Sequence, residues 1–155
     1  MPRLPADLEE TLAQYARGPS LVRAALSGAG PAELSRPGSG GWSVRDVLVH
    51  LADAELVRAA RLRFILADEA PPVLPAFDEE RWKRRLSYLW RSPEAALALY
   101  DALVFSNLEL LRQCDAAAFG REGIVAGEPV SAAELVRRGA AHGAEHAAQV
   151  RALRG

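Results

Sequence analysis

The sequence predicts an all-α protein folded as a four-helix bundle. Half of its 155 residues are hydrophobic but only 6% are aromatic, and the abundant alanine and leucine favour helix. Apolar residues recur every three to four positions in four long segments, whereas no segment of useful length alternates as a strand would. The length suits a single domain, residues 1–155, with a sizeable core.

The first helix is predicted over residues 5–17. Leu8, Leu12 and Tyr15 recur at helical spacing. The apolar pattern resumes after Pro19, but a proline removes a backbone donor and clashes with the preceding turn. We therefore expect this helix to be kinked or broken there. Residues 27–41 are rich in glycine, proline and serine and are predicted to form a loop with one short turn.

The second helix has a clear start. Ser43 is a good N-cap, and Asp46, three positions later, favours the positive end of the helix. Its apolar stripe continues to about Ala67. Three prolines within residues 70–76 predict an irregular crossing segment, and a short amphipathic piece is expected over residues 78–89.

Two further helices complete the predicted bundle. The third opens with a serine cap at Ser92 followed by proline, and should end near Asp115. Residues 119–130 hold three glycines and a proline and are predicted to be a loop, with room for a brief extended segment. A capping box beginning at Ser131 opens the last helix, which should reach about Leu153. The long connection between the second and third helices is compatible with a four-helix bundle.

Charge and cysteine content exclude several function classes. The formal net charge of −1 argues against a nucleic acid as the main partner. Cys114 is the only cysteine, so an internal disulfide and a cysteine-based zinc site are both excluded, and a reducing compartment is expected. Residues 1–10 lack the apolar core of a signal peptide, and no stretch approaches the roughly 20 apolar residues of a membrane span. We expect a soluble, cytoplasmic protein.

The three histidines are the most informative residues. His142 and His146 lie one turn apart on the inward face of the last predicted helix, a spacing that allows two imidazoles to bind one metal. His50 lies at the edge of the apolar stripe of the second helix, and bundle cores build metal sites from facing helices. We hypothesise that His50, His142 and His146 bind one divalent metal, with an open position typical of catalytic sites. Packing of unmetallated histidines remains the alternative.

Four other polar residues are candidates for roles near such a site. Asp53 and Glu55 follow His50 closely and could orient a ligand or act as a base, although such acids more often solvate a helix or pair with arginine. Gln149 shares the face of the histidine pair and could hydrogen-bond a ligand. Arg121, in a predicted loop, could meet an anionic substrate or simply be exposed.

Three motifs resemble the DinB/YfiT-like superfamily, and they occur in the family's order. Residues 41–55 contain Gly-Trp-Ser, then His50-Leu and then Glu55. Residues 119–135 resemble the loop that leads into the family's last helix. Residues 141–150 resemble the motif of two histidines and a glutamine on that helix. Together the motifs extend the resemblance over about residues 4–153.

The resemblance implies an up-down-down-up four-helix bundle, often a homodimer, with zinc or nickel on His50, His142 and His146. Some relatives are thiol S-transferases or isomerases that use bacillithiol or mycothiol. The expected function is thus metal-dependent thiol S-transfer, or hydrolysis, on a small molecule such as a low-molecular-weight thiol. The alternative is a non-catalytic metal- or ligand-binding protein of the stress response. One departure is Gly143, where the family usually has an acidic residue; Glu145 lies just before the second histidine instead.

Overall fold

The computed structural model of the protein describes residues 3–155. The first two residues, part of the segment in which no signal peptide is expected, lie outside the described residues. The helices are α1 (Ala6–Leu26), α2 (Pro31–Ser35), α3 (Val44–Ala67), α4 (Glu79–Arg85), α5 (Pro93–Leu111), α6 (Ala116–Phe119) and α7 (Ala132–Arg154), with a 3₁₀ turn at Tyr88–Trp90. The strands are β1 (Val73–Leu74), β2 (Glu122–Val125) and β3 (Glu128–Ser131).

Helices α1 and α7 run parallel to each other. A Cβ atom at Gly18 would lie 3.9 Å from the Cα of Gly143, and a Cβ atom at Gly139 would lie 2.9 Å from the ring of Tyr15. Later residues of α1 therefore contact later residues of α7, as they do when two helices are parallel. Because these glycines carry no side chain, the two backbones approach closely along this contact.

Helices α3 and α5 run opposite to that pair. On α3, His50 contacts His146 while Arg58 lies against Gly139, so α3 is antiparallel to α7. On α5, Asp101 pairs with Arg23 and Asn107 bonds to Tyr15, so α5 is antiparallel to α1. The predicted up-down-down-up four-helix bundle is confirmed. Within residues 3–155, no helix has both the length and the apolar character that crossing a bilayer requires.

The helix starts agree with the predicted caps. Ser43 Oγ accepts a bond from the Asp46 backbone N–H at 3.2 Å, and the Asp46 carboxylate accepts one from the Ser43 backbone N–H at 2.9 Å. Ser92 and Ser131 also cap α5 and α7, but the capping box predicted at Ser131 is incomplete because the Glu134 carboxylate bonds to Arg137 and Arg138 instead. Each cap satisfies backbone donors that have no partner within the helix. The third predicted helix, however, ends at Leu111 and is followed by the short α6.

The first helix was expected to be kinked or broken at Pro19, and the expectation of a break is wrong. Helix α1 continues from Ala6 to Leu26 with Pro19 inside it. Tyr15 on one side of the proline and Val22 and Ala25 on the other are all buried in the same core. The free energy gained by burying both halves exceeds the penalty of an internal proline, about 3 kcal/mol.

A small sheet occupies two segments that the sequence predicted as irregular. Strand β1 pairs in parallel with β2, which pairs antiparallel with β3. The hairpin turn consists of Ala126 and Gly127, both with positive φ, as expected for the tight turns whose twist matches that of the strands. The brief extended segment predicted in this loop is confirmed, whereas β1 was missed because two residues are too few for an alternating pattern.

The α1–α7 contact gives a stability prediction. Replacing Gly143 with valine places a Cβ 2.8 Å from Tyr100 Oη and 3.2 Å from the Gly18 Cα. We expect Gly143→Val to lower the free energy of unfolding by about 1–3 kcal/mol, because overpacking forces neighbouring atoms to move. Urea denaturation measures the change. Ala144→Val, an exposed neighbour on the same helix, is the control; equal stability of the two variants would contradict the close approach.

Candidate metal centre

The three histidines meet between α3 and α7. The Nε2 atom of His142 lies 2.9 Å from Nε2 of His50 and 2.8 Å from Nε2 of His146. His50 is only 2% exposed, and the other two imidazoles are half-buried. The i, i+4 spacing on α7 places two of the rings on one face, and the second turn of the capped α3 brings in the third. We call these three residues the histidine centre.

The arrangement of the three Nε2 atoms cannot be satisfied by hydrogen bonds alone. Both His50 and His146 direct Nε2 at the single Nε2 of His142. A neutral imidazole nitrogen offers either one N–H or one lone pair. The single proton or lone pair at His142 Nε2 can therefore serve only one of the two contacts well, and the second contact is left without an aligned hydrogen bond. A cation between the nitrogens would accept all three lone pairs.

Gln149 fixes the orientation of one histidine. Its Oε1 atom lies 2.6 Å from Nδ1 of His146. With the amide oxygen facing it, Nδ1 donates the proton, so the lone pair of Nε2 is directed into the histidine centre. Such a bond to the outer nitrogen is the usual support for a metal-binding histidine. In contrast, Nδ1 of His50 is buried and has no hydrogen-bond partner among residues 3–155.

Burial keeps two of the imidazoles neutral. It lowers the pKa of His50 to about 4, with a further contribution from neighbouring His146. The pKa of His142 is lowered to about 2 by burial, by His146 and by the charge of Arg58. Desolvation disfavours the charged form of a histidine. At neutral pH both side chains are therefore in the neutral form, which is the form that binds metals.

Aromatic side chains cover the histidine centre on the α4 side. The Trp42 ring packs edge-on against His50 with centroids 5.6 Å apart, and the Phe77 ring lies 6.5 Å from it. Trp82 packs against Phe77 at 4.7 Å. Trp42, which directly precedes the cap of α3, is thus a wall of the site. These rings lower the local polarity, which strengthens any electrostatic interaction made there.

The structure adds one acidic residue that the sequence did not indicate. The Oε2 atom of Glu79 lies 3.5 Å from Nε2 of His50. Glu79 is the first residue of α4 and lies 29 positions from His50, on a segment for which only a short amphipathic piece was predicted. Neither a motif nor a spacing links the two residues, so only tertiary structure could bring them together.

Asp53 and Glu55 make their hydrogen bonds elsewhere. The Asp53 carboxylate accepts two bonds from Arg91, at 2.7 and 3.1 Å. Glu55, which is fully buried, accepts bonds from Tyr15, Arg58 and Asn107, the last two at 2.6 and 2.9 Å. Within the described part of the chain neither acid bonds to a histidine. Their hypothesised role as ligand-orienting residues finds no support, and the alternative of pairing with arginine is what the structure contains.

Arg121 and Cys114 also lie outside the histidine centre. Arg121 donates to the backbone carbonyl of Asp68, just after the end of α3. Since a helix rises about 1.5 Å per residue, this point is roughly 27 Å along α3 from His50. Arg121 therefore cannot contact a substrate bound at the histidines. Cys114 is half-buried, and burial raises the pKa of its thiol, which disfavours the reactive thiolate.

The departure at position 143 has a steric reason. The approach of Tyr100 and Gly18 leaves no space for a side chain at Gly143, so the acidic residue common in the resembled family would not fit here. Glu145, the nearest acid in sequence, is exposed and makes no hydrogen bond within residues 3–155. Support for the histidines from this part of α7 comes from Gln149 alone.

Comparison with known proteins relates the chain to one family. The model of the DinB superfamily matches residues 14–150. The "Putative metal-dependent hydrolase GK0616" of Geobacillus kaustophilus is 33% identical over 153 residues, which cover 96% of this chain and 84% of that protein. The family match spans all three histidines, and the match to the Geobacillus protein extends over nearly the whole chain.

Two solved structures share the fold. YfiT from Bacillus subtilis superposes with a TM-score of 0.88 at 24% identity, covering 99% of this chain and 90% of that one. The mycothiol-dependent maleylpyruvate isomerase superposes with a TM-score of 0.76 at 23% identity, covering 95% of this chain but 61% of that one. At these identities the superpositions support the four-helix-bundle fold alone. The family model and the Geobacillus relative together show that the chain belongs to the DinB superfamily.

Proposed function

We propose that this protein is a divalent-metal-dependent enzyme that acts on a small molecule, with His50, His142 and His146 as the metal ligands. The observation that carries the proposal is the convergence of three Nε2 atoms that cannot all be satisfied by hydrogen bonds to one another. The same three side chains form a group with metal-ligand spacing, all donor atoms lying within 4.8 Å of one another. Membership of a family that includes a relative named for metal-dependent hydrolysis also supports it.

The histidine centre fits a small divalent cation. Nitrogen ligands at about 2.0–2.1 Å from a tetrahedral zinc ion lie about 3.3 Å apart. The two contacts of His142 Nε2, at 2.9 and 2.8 Å, need to lengthen by only a few tenths of an ångström, and all three donor atoms already lie within 4.8 Å of one another. Imidazole suits zinc and nickel, and also copper and iron. We propose zinc or nickel, the metals that the family resemblance favours.

The reaction we propose is attack by an activated water or thiol on a small electrophile. A divalent cation with an open position lowers the pKa of water or of a thiol and polarises a carbonyl group. The chain's own residues orient the ligands and enclose the site. Gln149 fixes the orientation of the His146 ring, while Trp42 and Phe77 restrict the approach of solvent to the histidine centre. Hydrolysis is favoured by the name of the Geobacillus relative. Transfer of a low-molecular-weight thiol is the second candidate, and it rests on the resemblance.

Several broader features belong to the same proposal. We propose that the chain works as one domain, as a homodimer, in the cytoplasm. A bundle that binds a metal or ligand without turnover, in a stress response, is the alternative function. The homodimer and the alternative rest on family resemblance and carry no residue assignment.

Metal analysis tests the ligand set directly. We expect the purified protein to bind one equivalent of zinc or nickel and His142→Ala to lose it, because two remaining histidines make an incomplete site. Elemental analysis after dialysis against the metal measures the ratio. A panel of esters, amides and thiol–electrophile pairs is then assayed with both proteins. Equal turnover by the variant would contradict metal catalysis, and stoichiometric metal without turnover of any pair would favour the binding protein.

Gln149 supplies a second prediction. Gln149→Leu keeps a similar volume but removes the acceptor that faces His146 Nδ1. We expect zinc affinity to fall about 10- to 100-fold, as for other lost outer-shell bonds, in a chelator-competition titration. Gln113→Leu, at an exposed position after α5, is the matched control. Unchanged affinity in Gln149→Leu would show that the hydrogen bond does not support the metal.

The lowered pKa values of two of the histidines predict how the stability of the metal-free protein depends on pH. The pKa values of His50 and His142 lie well below 6.5 in the folded state, so between pH 6.5 and about 4 the unfolded chain binds more protons. The free energy of unfolding therefore falls as the pH decreases from 7 to 5, by about 1–2 kcal/mol for each histidine.

Urea denaturation in the presence of a chelator, at pH 7 and at pH 5, measures this change. His142→Gln removes one of the two contributions, so its stability should depend less steeply on pH than that of the unchanged protein. The same pH dependence in both would mean that His142 titrates normally in the folded state.

A further inference from the structure

One acidic side chain, Glu79, lies against the histidine centre. Its Oε2 atom lies 3.5 Å from Nε2 of His50, the same atom that faces His142. The carboxylate therefore lies beside the histidine centre, although it does not belong to the group of donor atoms that all lie within 4.8 Å of one another. Oxygen and nitrogen ligands on one small tetrahedral ion are separated by about 3.3 Å, so a distance of 3.5 Å suits two ligands of a common cation.

The position of Glu79 is fixed by its neighbours on α4. Asp78 caps the helix by accepting a bond from the Arg81 backbone N–H at 2.7 Å. Glu80 accepts a 2.7 Å bond from Trp42 Nε1, and Lys83 donates a 2.6 Å bond to the Gly41 carbonyl. Helix α4 is thus attached to the residues just before α3, and this attachment holds Glu79, the first residue of α4, beside His50.

The contact between Glu79 and His50 is longer than a hydrogen bond, because the 3.5 Å between Glu79 Oε2 and His50 Nε2 exceeds the usual limit of about 3.2 Å. If Nε2 of the His50 ring presents its lone pair, the carboxylate and the nitrogen repel each other. A cation bound between them turns this repulsion into attraction by both groups.

We propose that Glu79 is a fourth protein ligand of the metal, which closes the open position of the three-histidine site in the resting enzyme. This inference rests on the proposed function. Carboxylate oxygen joins imidazole nitrogen in the ligand sets that zinc accepts. The Glu79 side chain is 58% exposed, so it can move into the centre and leave it again without disturbing the core. A substrate with a thiolate or an anionic oxygen would reach the metal by displacing this carboxylate.

Cobalt(II) substitution tests the assignment, because its visible spectrum reports the ligands directly. We compare the unchanged protein with Glu79→Gln, which keeps the size but loses the anionic ligand. The matched control is Glu145→Gln, which removes the same charge next to His146 from an exposed side chain. Cobalt affinity is measured by chelator competition, and azide is titrated as a small anion that binds an open position.

We expect Glu79→Gln to bind cobalt at least about 10-fold more weakly, with an altered visible spectrum, and to bind azide about 10-fold more tightly than the unchanged protein. Glu145→Gln should match the unchanged protein in all three measurements. Glu79→Asp, which keeps a carboxylate, should recover part of the cobalt affinity. Circular dichroism confirms that each variant is folded.

Two other results would overturn the inference in distinguishable ways. If Glu79→Gln matches the unchanged protein in spectrum and azide affinity while His142→Ala loses cobalt, Glu79 is not a ligand and the three-histidine proposal stands. If the unchanged protein binds no stoichiometric cobalt, zinc or nickel, the proposed function fails and the role of Glu79 fails with it.

Discussion

The close parallel contact between α1 and α7 is the constraint on which the rest of the structure depends. Gly18, Gly139 and Gly143 let the two backbones approach until Tyr15 and Tyr100 fill the remaining space. The face of α7 that carries Gly139 and Gly143 is occupied by this contact. The neighbouring face, which carries His142 and His146, is left to meet α3. The rotation of α7 about its axis, and with it the direction of both imidazoles, is therefore set by packing of residues that take no part in the chemistry.

A buried polar network ties three helices together beside that contact. Glu55 of α3 accepts bonds from Tyr15 of α1 and from Asn107 of α5, and its second oxygen pairs with Arg58. Burial and the nearby Glu55 charge raise the pKa of Tyr15, so the phenol stays protonated and remains a donor. Buried charges are tolerated only when fully paired and hydrogen-bonded. The network thus fixes how α1, α3 and α5 are aligned, and it does so about one and a half turns from His50.

Most of the fold and the three histidines of the site could be predicted from the sequence, whereas Glu79 could not. The starts of α3, α5 and α7 were predictable because Ser43, Ser92 and Ser131 carry local capping signals. The path of α1 across Pro19 was not, since the cost of the proline is local but the compensating burial comes from α7. The convergence of the histidines followed from helical spacing and family resemblance, whereas Glu79 approaches from a short segment whose docking is decided by tertiary contacts. Asp53 and Glu55 are near His50 in sequence, and pairing with arginine was considered for both. Arg91 and Asn107 are distant from these acids in sequence, so local reasoning could not identify them as partners.

The attachment of α4 has a practical consequence for chemical labelling. Lys83 is the only lysine in the chain, and its ammonium group lies over the Trp42 ring at 4.9 Å, between the Gly41 carbonyl and the Asp46 carboxylate. Amine-directed reagents therefore have one side-chain target. It lies where α4 is attached to the residues just before α3, beside the aromatic side chains that pack over His50. A fluorophore attached there would sit beside the indole that contacts His50, and its emission would report whether this cover is closed or lifted.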